Sequence, residues 1–566
     1  MKVIISILLI LSTLVASGTN YYVKSAGNDS NSGQSDGQAW ATLSKVSASS
    51  FNPGDSIFFN AGDSWRETLE VPSDGNAGAN LYFGKYGTGA NPKILGSKAT
   101  TTWEDQGSNV WKTTITFTSP RSLYPNYADI IFISGSSKRF GIYQATTGAL
   151  NAAYEWTWSS NYIYVYSISD PATAYTGIEV QQRRFCISTN DNPYLHFNGI
   201  DVLYSADAGY DSNNDHTISD QHGCIIENAE IAFIGGVTGQ QFGFGIAIAY
   251  SNLTIRNNDI HHCGRRSVSI NMEYNASPYT VHDVLIEDNT FHHGSHTTSL
   301  DMTVNNGGSS SSINGVTFRR NLVYEENGET VNYTSCQFWI QCYTGSGTID
   351  NVYIYSNVFK YWRENSVNTE SRTLKNVYIY NNTFYENNSA GSTLGYSYAV
   401  YSDYDNSNLR VYVKNNIFYT TLNNDTGGAG AGVVIYSVDD EHYICDYNLF
   451  YRINNSVNTH LINGTRYYMN TIGNLPNNWE DNSPTPADPV FVSAADLHIQ
   501  TSSPAKAAGT DLNIILDKDG NAFDENTPSV GAYEYDSSPP VPTPVLRFKG
   551  GGGKFYKSAS GNKFLK

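Results

Sequence analysis

Charge is scarce in this chain. Only 15% of its 566 residues are Asp, Glu, Lys or Arg, while 13% are aromatic. That balance excludes a disordered chain, which carries few aromatics and dense charge. It also excludes a coiled coil, which needs far more Glu, Lys, Ala and Leu. Bases are the minority sign, 34 against 52 acids, for a net charge of −18. An acidic body repels phosphate backbones, so nucleic acid is excluded as a partner class. A polyanionic substrate is also disfavoured unless bases gather at the site. Cysteine is sparse, six in all, with no CxxC and no HExxH, and no metal-ligand set is assigned. Long apolar runs are missing beyond the N-terminus, so no transmembrane segment is expected. What is present in quantity is 42 Tyr, 24 Phe and 49 Gly. Aromatic and β-branched residues favour strands and Gly and Asn favour turns, so a large all-β protein is expected.

The N-terminus has a charged start at Lys2, a short apolar stretch from Val3 to Ala16, and small residues Ala16-Ser17-Gly18. This reads as a signal peptide over residues 1–18, cut near Gly18, and places the protein outside the cell or in the periplasm. In that compartment cysteines could pair. Cys224 and Cys445 instead fall on inward-facing positions of the repeat described next, where buried thiols are expected. Cys336 and Cys342 would end one extended strand, too far apart to bond.

The middle of the chain repeats. Ile200, Ile231, Ile260, Phe291, Val323, Phe359, Phe384, Phe418 and Phe450 recur 25 to 36 residues apart. Two positions earlier stand Asn198, Asn258, Asn289, Asn321, Asn357, Asn382, Asn416 and Asn448, with Ala229 the exception. Five and seven positions earlier the residues are apolar, as in Ile255 and Leu253 or Ile354 and Val352, and their neighbours are polar or Tyr. Period-two alternation is a strand with one buried face. Each unit reads as strand, Asn turn, short strand, loop, third strand, loop. One unit cannot bury its own apolar face, but stacked units can. Stacking as a parallel coil puts equivalent residues about 4.8 Å apart, so the asparagines form a column of rung-to-rung hydrogen bonds, each worth about 0.5–1.5 kcal/mol net. Four positions before the anchor, Glu227, Arg256, Glu287 and Arg319 alternate in sign, as in-register rungs would favour. Tyr353, Tyr378 and Tyr412, Tyr355 and Tyr380, and Tyr385, Tyr419 and Tyr451 form further columns. Such ladders stabilise neighbouring rungs, and they could also stack on sugar rings.

The Asn column resembles that of the pectate-lyase-like superfamily of right-handed parallel β-helix proteins. The opening Tyr21-Tyr22-Val23, Asp29-Ser30-Asn31-Ser32-Gly33, Trp40-Ala41-Thr42-Leu43 and Pro53-Gly54-Asp55-Ser56-Ile57 is similar to that of many secreted members. The close, Asp488-Pro489-Val490-Phe491, Ser503-Pro504-Ala505 and Gly531-Ala532-Tyr533-Glu534, is similar to their final rungs. The resemblance covers about residues 19–536. It implies a right-handed parallel β-helix with an Asn ladder and a function on long-chain carbohydrate. It does not choose between lyases, glycosidases, epimerases, esterases and non-catalytic spikes.

The expected organisation is an N-terminal cap and first coils over 19–110 and a β-rich side module over 111–190, with a hairpin at Trp156-Thr157-Trp158 and Tyr162–Tyr166. Regular coils follow over 191–455, then last coils and a cap over 456–536. Residues 537–566 are a Pro-rich linker and a Gly-rich tail with six bases and no acid. That tail is read as solvated chain, or as a contact for anionic glycan or a cell surface.

In the resembled superfamily the groove follows the third strand of each unit. Here those strands are 267–273, 297–303 and 337–343. Val268, Ile270, Met272, Leu300 and Met302 should point inward. Asp301 should sit outward between Asn271 and Gln341, with Glu273 roughly 8 Å away by rung geometry. Trp339 and Tyr343 face the same side. Six of the 12 His lie between 261 and 296, with Arg265 and Arg266 among them. His261 and His292, His262 and His293, and Arg265 and His296 share columns. Three readings stand. In glycoside hydrolysis Asp301 and Glu273 would be acid and base. In β-elimination from a uronate, Arg265 or Arg266 would neutralise the carboxylate, and His293, His296 or an Arg would take the proton. In a purely structural reading the His and Asn close a turn and the carboxylates are solvated. Asn271, Trp339, Gln341 and Tyr343 are the substrate-binding candidates. Asp207, Asp211, Asp215 and Asp220 carry oxygen ligands suited to Ca²⁺, or form a solvated loop. The expected function is a secreted enzyme cleaving a polysaccharide; the rival is a non-catalytic glycan-binding adhesin on the same scaffold.

Overall fold

Alternating apolar residues wind the chain into a coil of three parallel sheets. The structure is a computed structural model that describes residues 18–120, 128–212, 222–236, 242–272, 279–304, 311–325, 336–341, 347–369, 373–387, 397–402, 410–421, 430–435, 443–452, 458–462 and 464–535. The segment expected to be a leader, apart from Gly18, lies outside these residues, as do the expected Pro-rich linker and basic tail. A representative rung is Ser251–Arg256, Asp259–Cys263 and Arg266–Asn271, one strand in each sheet. The first and third sheets hold 12 strands each and the second holds 11. Neighbouring rungs pair in parallel, apart from the final strand Thr465–Tyr468, which returns antiparallel onto Asn458–Ile462. The expected parallel β-helix is therefore the fold found.

The inward residues of all three sheets fill one continuous core. Phe359, Phe384, Phe418 and Phe450 stack face to face at 5.0 to 5.1 Å. Burying each such ring contributes about 1.5–3 kcal/mol relative to exposure. Both ends of the core are plugged. Helix Leu43–Ser47, capped by the Thr42 hydroxyl accepting from Lys45 N–H, presses Leu43 and Val46 onto one end. Trp479 closes the other.

The second-sheet anchors from Ile231 to Phe450 align one on another. The first does not. Val202, not Ile200, pairs with Ile231, and Asn198 stands level with Glu227. The Asn ladder thus runs from Asn258 through Asn289, Asn321, Asn357, Asn382 and Asn416 to Asn448. Asn258 Oδ1 accepts from Ala229 N–H, and each later amide oxygen accepts from both the backbone N–H and the Nδ2 of the preceding Asn, as Asn289 does from Asn258 at 3.0 and 3.1 Å. The left-handed backbone falls on the residue before each ladder Asn, at Asn257, Asp288, Arg320, Ser356, Asn381, Asn415 and Tyr447. Glu480 ends the column by accepting from Asn448 Nδ2 at 3.0 Å. In the charge column Arg256 Nε donates to Glu227 at 2.6 Å and Arg319 Nε to Glu287 at 2.8 Å. Tyr353, Tyr378 and Tyr412 stack at 4.7 and 4.9 Å. Cys186, Cys224, Cys263, Cys336 and Cys445 are free and buried, and Cys342 lies outside the described residues.

Two accretions cover parts of the coil. The side module leaves the second sheet after Leu95 and rejoins the third at Phe185, its strands running from Ser97 to Gln181. It has its own core around Trp156, and the hairpin Glu155–Ser159 with Tyr162–Tyr166 is part of it. Residues 488–535 add no rung to the three sheets. They lie along the outside, where Asn381 Nδ2 donates to Ser529 O, Asn415 Nδ2 to Thr510 O, and Phe491 meets the rings of Tyr385 and Tyr419. Among the described residues no helix is long and apolar enough to cross a membrane.

Candidate active site

The third sheet carries the expected strands. Val268, Ile270, Met272, Leu300 and Met302 are fully buried in the core. Their neighbours face the opposite side, with one change of register. A bulge opposite Arg266–Val268 adds a residue between Thr297 and Leu300. Asp301 is therefore level with Ser269 and Trp339, and Thr303 takes the expected place between Asn271 and Gln341.

Asp301 is 0% exposed although it faces away from the core. Thr303 Oγ1 donates to its Oδ1 at 2.8 Å and Gln341 Nε2 to its Oδ2 at 2.6 Å. Arg266 Nε lies 3.2 Å from Oδ2. A carboxylate held from three sides cannot change rotamer without breaking charge-assisted bonds. Arg265 and Arg266 both lie over the Phe244 ring, at 5.8 and 5.9 Å. His296 stacks on Trp339 at 4.8 Å and 14°. Burial, then the charges of Arg266 and Arg265, push its pKa down to about 3, so its ring is neutral and weakly basic at physiological pH. Trp339 is partly exposed, and Asn271 is half-buried at the end of its strand.

The structure thus gathers Asp301, Arg266, Gln341, His296 and Trp339, with Arg265 beside them. It places His293 elsewhere, in a group with His261, His262 and His292 on the second sheet. Glu273 and Tyr343 lie outside the described residues.

A further carboxyl group lies on this face, one that the sequence placed in the acidic stretch and not on the third sheet. Asp211 ends the strand Ala208–Asp211 and shares the column of Asp301 through Ala247 and Ser269. It is buried, its Oδ2 has no hydrogen-bond partner among the described residues, and burial together with the charge of Asp207 raises its pKa well above the carboxylate range. The solvated acidic loop expected at this point is corrected accordingly. Asp207 and Asp211 are both buried, and Arg184 Nε donates to Asp207 at 2.9 Å. Asp215 and Asp220 lie outside the described residues. The signal was the alternation Ala208, Tyr210 against Gly209, Asp211, hidden by the polar residues that follow. Three rung steps put Asp211 about 14 Å from Asp301, so the two do not flank one bond.

No family model matches the chain. A stretch of 81 residues is 40% identical to lacto-N-biosidase of Bifidobacterium longum subsp. longum, covering 13% of this chain and 5% of that protein. Among solved structures, pectate lyase Pel9A covers 92% of this chain and 97% of its own at TM-score 0.47 and 13% identity. The GH136 lacto-N-biosidase of Eubacterium ramulus covers 78% of this chain and 65% of its own at TM-score 0.44 and 14% identity. XylC, solved with xylose, covers 79% and 86% at TM-score 0.43 and 13% identity.

Proposed function

We propose that this chain is a carbohydrate-active enzyme that cleaves a glycosidic bond on the outer face of the third sheet, with Asp301 as a reacting carboxylate. One observation carries the reading. A carboxylate pinned by Arg266, Thr303 and Gln341 stands one rung from Trp339, a partly exposed ring already stacked on one face. Aromatic faces suit the apolar faces of sugar rings, and a fixed carboxylate beside such a platform can act on the anomeric carbon held there. Glycoside hydrolysis needs a second carboxyl group, and Glu273 takes that part in the proposal.

Uronate β-elimination is the second reading, favoured by the adjacent guanidinium groups of Arg265 and Arg266. Against it, Arg266 is committed to Asp301, and His296 is too weak a base to take a C5 proton readily. Export with cleavage near Gly18 belongs to the same proposal, and a free N-terminus at that point on secreted protein would support it. The deciding experiment incubates the full chain with neutral and uronate polysaccharides. New reducing ends without ultraviolet absorbance support hydrolysis, and unsaturated ends absorbing in the ultraviolet support elimination. Retention on glycan without product supports an adhesin and ends the enzymatic reading. Asp301→Asn should abolish turnover while leaving the circular dichroism unchanged; full turnover in that variant removes Asp301 from the site.

A further inference from the structure

Four histidines meet at the corner where the second sheet turns toward the third. Strand neighbours normally face opposite sides. Here His262 and His293 hold a left-handed backbone, each at φ 51°, which brings His262 alongside His261 and His293 alongside His292. Within each pair the two Nδ1 atoms face each other, at 2.7 Å in the first and closer in the second. Between rungs the rings stack, His261 on His292 and His262 on His293, both at 4.5 Å. One ring nitrogen from each of His261, His262 and His292 lies within 4.8 Å of the others.

The outer nitrogens are also engaged. His261 Nε2 lies 3.5 Å from Glu230, itself held by Lys138 Nζ at 3.0 Å, and His292 Nε2 lies 3.0 Å from Asp259. A carboxylate taking the Nε2 proton leaves the Nδ1 lone pair directed at the cluster, the arrangement that orients histidine ligands around metal ions. The place is open to small ions. Phe140 of the side module packs at its upper edge, and the segment after residue 488 packs against second-sheet side chains from Leu322 and Val358 onward. The histidines lie in the interval between these two coverings, His262, His292 and His293 partly exposed and His261 buried.

The geometry points to a binding site for one divalent late transition-metal ion, Zn²⁺ being the probe of choice, with His261, His262 and His292 as ligands and His293 closing the set. An all-imidazole set suits zinc, copper and nickel and disfavours calcium and magnesium. Tetrahedral zinc at about 2.0–2.1 Å from nitrogen needs neighbouring nitrogens roughly 3.3 Å apart. The side-by-side pairs would open and the stacked pairs close by rotation about their side-chain torsions. The site is independent of Asp301 and holds whether or not the chain cleaves glycans.

A second cluster, Cys445, His460 and Glu480, sits sealed in the core and must be told apart. Its glutamate already accepts from the Asn ladder. The full chain would be stripped with a chelator, equilibrated with ZnCl₂ and assayed by calorimetry and elemental analysis, then reloaded with Co²⁺ for absorption spectroscopy. Expected are zinc uptake and a visible cobalt band lacking the near-ultraviolet sulfur-to-cobalt transition. His261→Gln with His292→Gln should lose the ion. Asp259→Asn touches no ligand atom and alters an exposed carboxylate, so it keeps the fold; it should weaken binding about ten-fold. The proposal is overturned if the wild-type chain retains no zinc, if the double variant binds as tightly as wild type, or if the cobalt spectrum reports a thiolate.

Discussion

Replacing Asn382 by alanine measures what the buried amide column contributes. The Oδ1 of Asn382 accepts from the backbone N–H and the Nδ2 of Asn357, both at 3.0 Å. Its Nδ2 donates to Ile354 O at 2.8 Å and Asn416 Oδ1 at 3.1 Å. Asn382→Ala removes all four and keeps the two backbone bonds, its N–H to Asn416 Oδ1 and its carbonyl accepting from Ile417 N–H, both at 2.9 Å. Asn357 Nδ2 retains Phe318 O and Tyr355 O, but the Asn357 backbone N–H is stranded where water does not reach. A stranded buried donor costs about 1–3 kcal/mol, and the other lost bonds add about 0.5–1.5 kcal/mol each, partly recovered by relaxation. The expected destabilisation is about 3–5 kcal/mol. Because each rung leans only on its neighbours, the effect is local. Hydrogen exchange followed by mass spectrometry should show the amides between about Val352 and Thr383 opening at least 100-fold more often, since about 1.4 kcal/mol is a factor of ten, while the first rungs stay unchanged. Asn198→Ala is the control. The sequence pattern puts Asn198 in the same column, but the structure gives it a half-buried amide bonded to Glu227 at 2.9 Å, and it should cost about 1 kcal/mol or less. If both variants cost the same, the ladder does not hold the coil as described.

Trp339→Ala should raise KM about three- to ten-fold on any cleaved glycan, the worth of one stacked ring, with kcat little changed; an equal fall in kcat would mean that the ring acts in the transition state instead. His498 links Asp519 at 3.2 Å and Asp496 at 2.5 Å, and these partners raise its pKa to about 9. A histidine with a folded pKa above its unfolded value stabilises fully below about pH 6.5 and loses that contribution as pH rises through about 9. Limited proteolysis of the segment 488–535 should therefore accelerate across that window in the wild type and not in His498→Gln; the same acceleration in both would refute the role. Burial raises the pKa of the free thiols, to about 12 for Cys186 and Cys263, and thiolate is the reactive form. A thiol reagent should reach the five described cysteines only after denaturation, and rapid labelling of the native chain at any of them would contradict their burial.

The repeat was legible wherever one residue type had to recur. Phenylalanine at the second-sheet anchor and Asn two before it share a reason, since stacked rings and stacked amides reward identity between rungs. The same reasoning failed at Ile200. The run Phe197-Asn198-Gly199-Ile200 imitates the later Asn turns, but Gly199 at φ +66° takes the left-handed corner there, and the anchor falls two residues later. Asp301 was placed on the correct side of its strand and at the wrong height, because a bulge leaves no mark in composition. The outer coverings were partly legible. The hairpin at Trp156 announced a module, whereas the segment after residue 488 resembles final rungs in sequence and is held by side-chain contacts from Asn381, Asn415 and Thr383 that no local pattern encodes.

Register is also what decides chemistry in such a coil. The outward column of the third sheet reads Ser188, Asp211, Ala247, Ser269, Asp301, Trp339 and Asn368. Each step is one rung, so the neighbours of Asp301 are set by the residue count of the rungs on either side. The added residue between Thr297 and Leu300 brings Asp301 level with Trp339 and lets Gln341 and Thr303 meet its two oxygens from one side of the column. Arg266 pairs with Thr297, before the bulge, and reaches Asp301 from the other side. Without that residue the outward positions beyond Thr297 would turn inward, because side chains alternate with period two. Asp301 would then face the core in place of Leu300 or Met302, an unpaired carboxylate among apolar side chains, at a cost no solenoid rung could offset. The bulge is thus a condition of the carboxylate's placement, and the length of this one strand constrains the proposed site as tightly as the identity of its residues.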